Sequence, residues 1–324
     1  MRKSTKILMI VAVSLIAAGL IAFCVAMTAV KWNFLNLMEE KYDMKEYEIT
    51  ESFHGISIMS DTADITFVPT DGTQTKVSCR EKTRLTYSVT VEDGALAIHA
   101  VDARKWYDHI QLFGSGTQKI TVYLPRGEYG ALNIKESTGD VTIPSDYRFA
   151  SVNVTLSTGD VACEASASDS VRIKANTGDV KISGVSAGSL SISTITGEIT
   201  ASSVTVTGEV TVHVSTGKSR LSDLRCKTLV SKGDAGDLTM NRVIADESFS
   251  LKRITGDVTL EECDAAQMEI TTNTGDVKGT LLSEKIFLHQ SNTGKVSLPE
   301  STRGGVCRIT TTTGDICFSV KNDS

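Results

Sequence analysis

Along most of the chain apolar residues alternate with polar ones, and one tripeptide, Thr-Gly-Asp, interrupts the alternation again and again. Its glycines, with Ala235 once in place of the threonine and Glu198, Lys218 and Lys295 in place of the aspartate, are Gly139, Gly159, Gly178, Gly197, Gly217, Gly236, Gly256, Gly275, Gly294 and Gly314, at intervals of 19 or 20 residues. Spacing this regular marks a stacked repeat array. Directly after each glycine the apolar residues fall at every second position, as in Val141 and Ile143, Val180 and Ile182, Val258 and Leu260, or Ile316 and Phe318. A period of two leaves one buried face. A second alternating run ends before the next glycine, with apolar residues seven and five places ahead of it: Val152 and Val154, Val171 and Ile173, Leu190 and Ile192, Phe249 and Leu251, Met268 and Ile270. A third apolar residue stands seven places after the glycine, at Val185, Val204, Leu224, Val243, Cys263 and Leu282. Each unit reads as two short strands, an extra inward anchor and two turns.

Strands this short cannot bury a face alone, and no window in this half shows the 3.6-residue period of a helix. If each unit makes one coil and pairs in parallel with the next at about 4.8 Å, ten coils extend roughly 48 Å. The predicted fold class is therefore all-β, a parallel β-solenoid or β-helix of about ten 19–20-residue coils over residues 127–324, with a right-handed sense expected. An antiparallel sandwich would not need the same residue to return at the same phase. Within the tripeptide, glycine allows a positive φ at a turn, and aspartate can accept from a backbone N–H two residues on. Stacking would line the aspartates into a column that includes Asp140, Asp160, Asp179, Asp257 and Asp276, interrupted by Lys218 and Lys295. Carboxylates about 4.8 Å apart in water repel by roughly 0.9 kcal/mol, and a turn hydrogen bond returns about 0.5–1.5 kcal/mol. Such a column tolerates weak cation binding without demanding it, and no dedicated metal or cofactor is expected.

Residues 48–126 are β-rich but irregular, with alternating runs around Ile56 and Ile58, Asp64 to Val68, Thr75 to Cys79, Leu85 to Val91, Leu96 to His99 and Ile120 to Leu124. Asp64 stands 76 residues before Asp140, four periods of 19, which suggests a degenerate first coil followed by an excursion that caps it. Nothing similar follows Phe318, so the last coil is expected to leave an edge open to self-association.

Ahead of this lies an uncharged apolar run, residues 7–30, about 36 Å long as a helix against a hydrocarbon core of about 30 Å. The pattern predicts a cytoplasmic tip (1–6), a transmembrane helix (7–30), a juxtamembrane linker (31–47), an irregular cap (48–126) and the solenoid (127–324). Arg2, Lys3 and Lys6 precede the run and every acidic residue follows it, which places the N-terminus inside and the rest outside a cell membrane. A cleaved signal peptide ending near Ala26 is the rival reading.

Composition narrows the chemistry. The 324 residues carry a formal charge of −6 with no dense basic run, which excludes a nucleic-acid partner. Aromatic residues are 6%, consistent with a core of small β-branched side chains. Cys79, Cys163, Cys226, Cys263, Cys307 and Cys317 show no C-x-x-C and no His at metal-ligand spacing, and fall at different phases of the repeat. They read as free thiols. Gly184-Val185-Ser186-Ala187-Gly188 matches a hydrolase elbow, and Thr216-Gly217-Lys218-Ser219 the end of a phosphate loop, but both sit inside the repeat with no helix following.

The apolar N-terminal run, the Asp64-Ile65 segment, the strand ending at Leu124-Pro125 and the repeated Ser/Thr-Thr-Gly-Asp-Val units together resemble the bacterial family of adhesin-like proteins with β-strand repeats, a domain of unknown function. Its relatives include Lia-type surface proteins of cell-envelope stress. The resemblance covers about residues 50–320 and brings no catalytic residues. It implies a membrane-anchored, non-catalytic surface protein that presents a repetitive face to cell-wall glycan or an envelope protein. The alternatives are envelope-stress sensing through a membrane partner and a polysaccharide-active β-helix, for which the coils lack groove-building insertions.

Overall fold

The computed structural model describes residues 3–29, 42–82, 85–103 and 117–321. It is all-β, 73% strand, and forms a parallel β-solenoid of about ten turns with one helix at the N-terminus. We name each rung by its corner glycine, with one strand leading into the corner and one leading out. Rungs pair in parallel and in register: Val152 with Val171, Val171 with Leu190, Leu190 with Val210, Val210 with Leu229, Leu229 with Phe249, and Phe249 with Met268. Both strands of the regular rungs point their alternate apolar residues inward, so the core is one continuous column from Ile56 to Phe318. Of the residues seven places after a glycine, Val185, Val204, Leu224, Val243 and Cys263 are buried, whereas Leu282 is 38% exposed. At Leu282 the chain is leaving the stack.

That departure begins a change of order. The strands of the Gly275 rung, within Val258–Thr274 and at Val277–Leu281, do not pair with the Gly294 rung that follows in sequence. They pair with Gly305–Thr313 and Ile316–Val320, the Gly314 rung. The Gly294 rung, Lys285–Thr293 and Val296–Ser297, packs on the far side of that insert. The last three rungs thus stack in the order Gly275, Gly314, Gly294.

Side chains explain the choice. Five places before the corner, where other rungs bury Val154, Ile173 or Ile192, the Gly294 rung carries an exposed His289. Its Val296 is 39% exposed. The Gly314 rung presents Cys307, Ile309, Ile316 and Phe318, all buried. Placing the polar rung outermost spares the histidine desolvation and keeps four apolar side chains from water. Sterics agree, since Gly279 leaves room for the Phe318 ring: a Cβ there would come 2.7 Å from it.

The other end is also interleaved. Gly55–Met59 and Ala63–Thr70 form a rung that pairs on one side with the Gly139 rung and on the other with Ala95–Asp102 and Gln118–Pro125. Thr75–Lys82 and Leu85–Glu92 then pair antiparallel onto that outer rung, and Tyr42–Ile49 onto Thr75–Lys82. Of the expected linker 31–47, residues 31–41 lie outside the described residues, and the remainder is part of this last strand.

Glu136 is buried beneath this end, 3% exposed, and accepts from the Ala63 N–H at 3.2 Å. Burial pushes its carboxyl up to about 7, against hydrogen bonds from Ser60, Ala63 and Thr138 that favour the charged form. The folded chain therefore holds a proton that the unfolded chain, with an ordinary carboxyl, gives up. Its stabilisation is complete below the unfolded value and is lost as pH rises through about 7. Glu136→Gln should gain in melting temperature relative to the parent between about pH 5 and about pH 8, while a constant gap would refute the assignment.

The N-terminal helix does not match the expected membrane span. The helix runs Lys3–Ala29. Among the described residues no helix is long and apolar enough to cross a membrane. The expected single-pass, cytoplasm-to-outside arrangement therefore does not hold.

Candidate functional site

Two features repeat from rung to rung and reach the surface. The first is the Thr-Gly-Asp corner. Every corner glycine, Gly139, Gly159, Gly178, Gly197, Gly217, Gly236, Gly256, Gly275, Gly294 and Gly314, has a φ between +123° and +150°. The backbone closes the ladder tightly there: Gly159 N donates to Thr177 O at 2.9 Å and Val161 N to Asp179 O at 2.9 Å. The aspartates reach across to the next rung. Asp140 Oδ1 accepts from Asp160 N at 2.8 Å, Asp160 Oδ1 from Asp179 N at 2.7 Å, and Asp179 Oδ1 from Glu198 N at 2.7 Å. The ladder resumes with Asp257 N on Asp237, Asp276 N on Asp257 and Asp315 N on Asp276. Asp64 begins it, accepting from Asp140 N at 3.1 Å.

The column is thus a run of carboxylates each answering the next rung's N–H, a charge-assisted bond. Its break lies at Lys218, where the Glu198 carboxylate turns to Arg220 and Lys218 Nζ sits 3.6 Å from Asp237 Oδ2. Among the described residues no group of three or more His, Cys, Asp or Glu is placed to hold a metal. Asp160→Ala should lower stability by about 1–2 kcal/mol in denaturant unfolding, and Asp160→Asn, which keeps the acceptor, by much less. Equal losses would show that the bond to Asp179 N is not what the side chain contributes.

The second feature is a groove of about 460 Å³ lined by Ser203, Thr205, Asp223, Arg225, Arg242 and Glu262, with Ile244 and Leu282. It forms because the strand leaving each corner bends six residues later. Ser203, Asp223, Arg242 and Glu262 stand at that phase in four successive rungs, with φ of 54°, 50°, 51° and 51°. Left-handed backbone is rare for arginine and glutamate, and its recurrence at one phase shows that the bend is imposed by the rung. The buried neighbours Val204, Leu224, Val243 and Cys263 hold each bend from inside. Arg242 grips Asp223 with two hydrogen bonds, 2.6 and 2.9 Å, which holds the Asp223 carboxyl below the usual range. Lys321 Nζ meets Glu262 at 2.7 Å. Arg225 is exposed on the groove wall and makes no ion pair among the described residues.

The spacing of glycines carries no sign of this groove. Its one legible signal is the polar residue immediately ahead of Val204, Leu224, Val243 and Cys263. Arg253 was likewise unmarked: it lies 1% exposed inside the core, donating to the Ser219 and Ser231 hydroxyls at 3.2 and 3.0 Å. Burial draws its guanidinium down to about 10.

The chemistry of reactive side chains is muted. Cys79, Cys163, Cys226, Cys263 and Cys307 are buried free thiols, and Cys317 is free and exposed. Burial pushes Cys79, Cys163, Cys226 and Cys307 up to about 12 and Cys263 to about 11, so these thiols stay protonated and unreactive near neutral pH. Ser186 of the elbow-like motif lies on a two-residue strand, Ser186–Ala187, with a further strand rather than a helix following.

The solved structures that match this chain share little sequence with it. A "putative adhesin" from Bacteroides fragilis is 15% identical, with 87% of this chain and 98% of that one covered and a TM-score of 0.42. A "putative lipid binding protein" from Parabacteroides distasonis is 15% identical, with 74% and 98% covered and a TM-score of 0.47. A "putative cell adhesion protein" from Clostridium sporogenes is 10% identical, with 87% and 100% covered and a TM-score of 0.24. No curated protein matches the chain. The Toastrack DUF4097 family matches residues 53–217 and again 207–324, which together take in the capped end, the corner column and the groove. On that match the chain belongs to the Toastrack DUF4097 family.

Proposed function

We propose that this solenoid is a non-catalytic binding module whose groove takes an extended, hydroxyl-rich polymer, with cell-wall glycan as the class that fits best. The observation that supports the reading is the left-handed column at Ser203, Asp223, Arg242 and Glu262, which repeats one concave bend over four adjoining rungs. With rungs about 4.8 Å apart, the strip runs roughly 15 Å along the axis, a length suited to a chain molecule. Its lining offers hydroxyls from Ser203 and Thr205, the exposed guanidinium of Arg225 and a short apolar floor of Ile244 and Leu282. Hydroxyls and a fork of N–H donors beside a small apolar patch match the alternating faces of a sugar ring. The mixed charge does not favour a polyanion.

Co-sedimentation of the full chain with purified insoluble cell-wall glycan tests this. The chain is expected in the pellet, and Arg225→Ala combined with Thr205→Ala should reduce the bound fraction at least tenfold while leaving the melting temperature unchanged. A chain that stays in solution, or a double variant that pellets equally well, would remove the reading.

A further inference from the structure

The interleaved end leaves a slot one rung wide between the Gly275 and Gly294 rungs, filled by residues 305–320. We propose that this slot also accepts residues 305–320 of a second copy of the chain, so that two chains associate by reciprocal exchange of that rung. Three observations carry the idea.

The slot is defined without the insert. Lys285, its side chain 4% exposed, pairs with Gly305 in register, yet its Nζ lies 2.6 Å from Asp264 Oδ1, on the strand leading into the Gly275 corner. The ion pair spans the slot and ties its two walls together. Next, the insert is recognised by shape. Phe318 occupies the space left by Gly279, and its ring lies 5.8 Å from that of Phe287 on the opposite wall. A side chain at Gly305 would run into the Ala266 carbonyl oxygen, so glycine is required where the insert enters. All of these contacts are the same whichever chain supplies the rung.

Finally, the order of stacking delays closure. Residues 285–298 precede the insert in sequence but lie beyond it, so the Gly275 and Gly294 rungs hold their final places only with residues 305–320 between them. An unfilled slot would leave two strand edges unpaired and an apolar floor uncovered. The connection, residues 299–304, is largely exposed and holds no strand, so it can lead back into its own slot or across to a neighbour's. Exchange of an identical element is a low-cost route to association when such a hinge exists.

Native Cys317 supplies the test. It is exposed and pairs in register with Lys278 across the slot wall. Neighbouring outward side chains on paired strands lie within disulfide reach. One chain carries Lys278→Cys, Cys317→Ser and Cys24→Ser; the other carries Cys24→Ser and keeps Cys317. The two are unfolded, mixed, refolded together at high concentration and oxidised. A disulfide-linked dimer on a non-reducing gel is expected, at least tenfold above a mixture in which the first chain keeps Lys278. A cis control, with Lys278→Cys and Cys317 in one chain, must form the bond internally. No linked dimer alongside a positive cis control would overturn the exchange. A negative cis control would overturn the rung order on which it rests.

Discussion

Alanine at Gly178 is expected to lower the unfolding free energy by about 3 kcal/mol or more, an exceptionally large effect for adding one methyl group. Its Cβ would land on the carbonyl oxygen of Gly159 in the rung below, and φ there is +139°. Neither problem can be relaxed locally. The clash is backbone against backbone, and moving the corner breaks the bonds from Gly178 N to Thr196 O at 3.0 Å and from Val180 N to Glu198 O at 2.9 Å. Gly184 provides the comparison, because it also has a positive φ, +67°, but nothing lies within 4 Å of an added Cβ. Gly184→Ala should cost only about 1 kcal/mol, the penalty of left-handed backbone alone. Denaturant melts of the two variants side by side decide the matter. Similar losses would mean that the corner column is looser than its geometry requires.

Phe318→Ala is the second large effect, expected at about 3 kcal/mol. The ring is 5% exposed, fills the gap over Gly279 and touches Phe287, so its removal opens a cavity between two walls that cannot close around a fixed backbone. Because each rung touches only its neighbours, the loss should stay local. Hydrogen exchange should rise for amides of residues 277–320 and remain unchanged for those between Tyr147 and Val214. Uniform acceleration along the stack would contradict the nearest-neighbour account. Gly279→Ala should produce the same local pattern from the opposite cause, by pushing the ring out.

The regular rungs were legible because backbone requirements dictate their residues. A corner that admits only glycine must show glycine at every turn, and a two-faced strand must alternate, so Gly139 through Gly275 and their flanking valines and isoleucines trace the rungs directly. In the sequence the aspartates look like turn formers, because a short carboxylate usually serves its own turn. In this stack the donor that each carboxylate meets is the next rung's N–H, as Asp160 and Asp179 show. Rung order at the ends was hidden, since the tripeptide has the same phase in every unit and phase carries no order. The marks that set the order are single residues: His289 where an isoleucine would be buried, Gly279 opposite Phe318, and Gly305 against Ala266. The groove was hidden for another reason. Arg242 and Glu262 adopt left-handed backbone because buried neighbours force them to, and no side-chain preference announces it.

The interleaving alters how the stack would come apart under load. A simple pile of rungs peels from its end one layer at a time, each step exposing little apolar surface. Here the outermost layer is threaded over its successor, and Lys285 is tied past it to Asp264, so the final two layers must release as a unit. A protease or a mechanical pull at that end meets a clasp whose opening costs two layers of contact, which makes the extremity of this rod more resistant to fraying than its length alone would suggest.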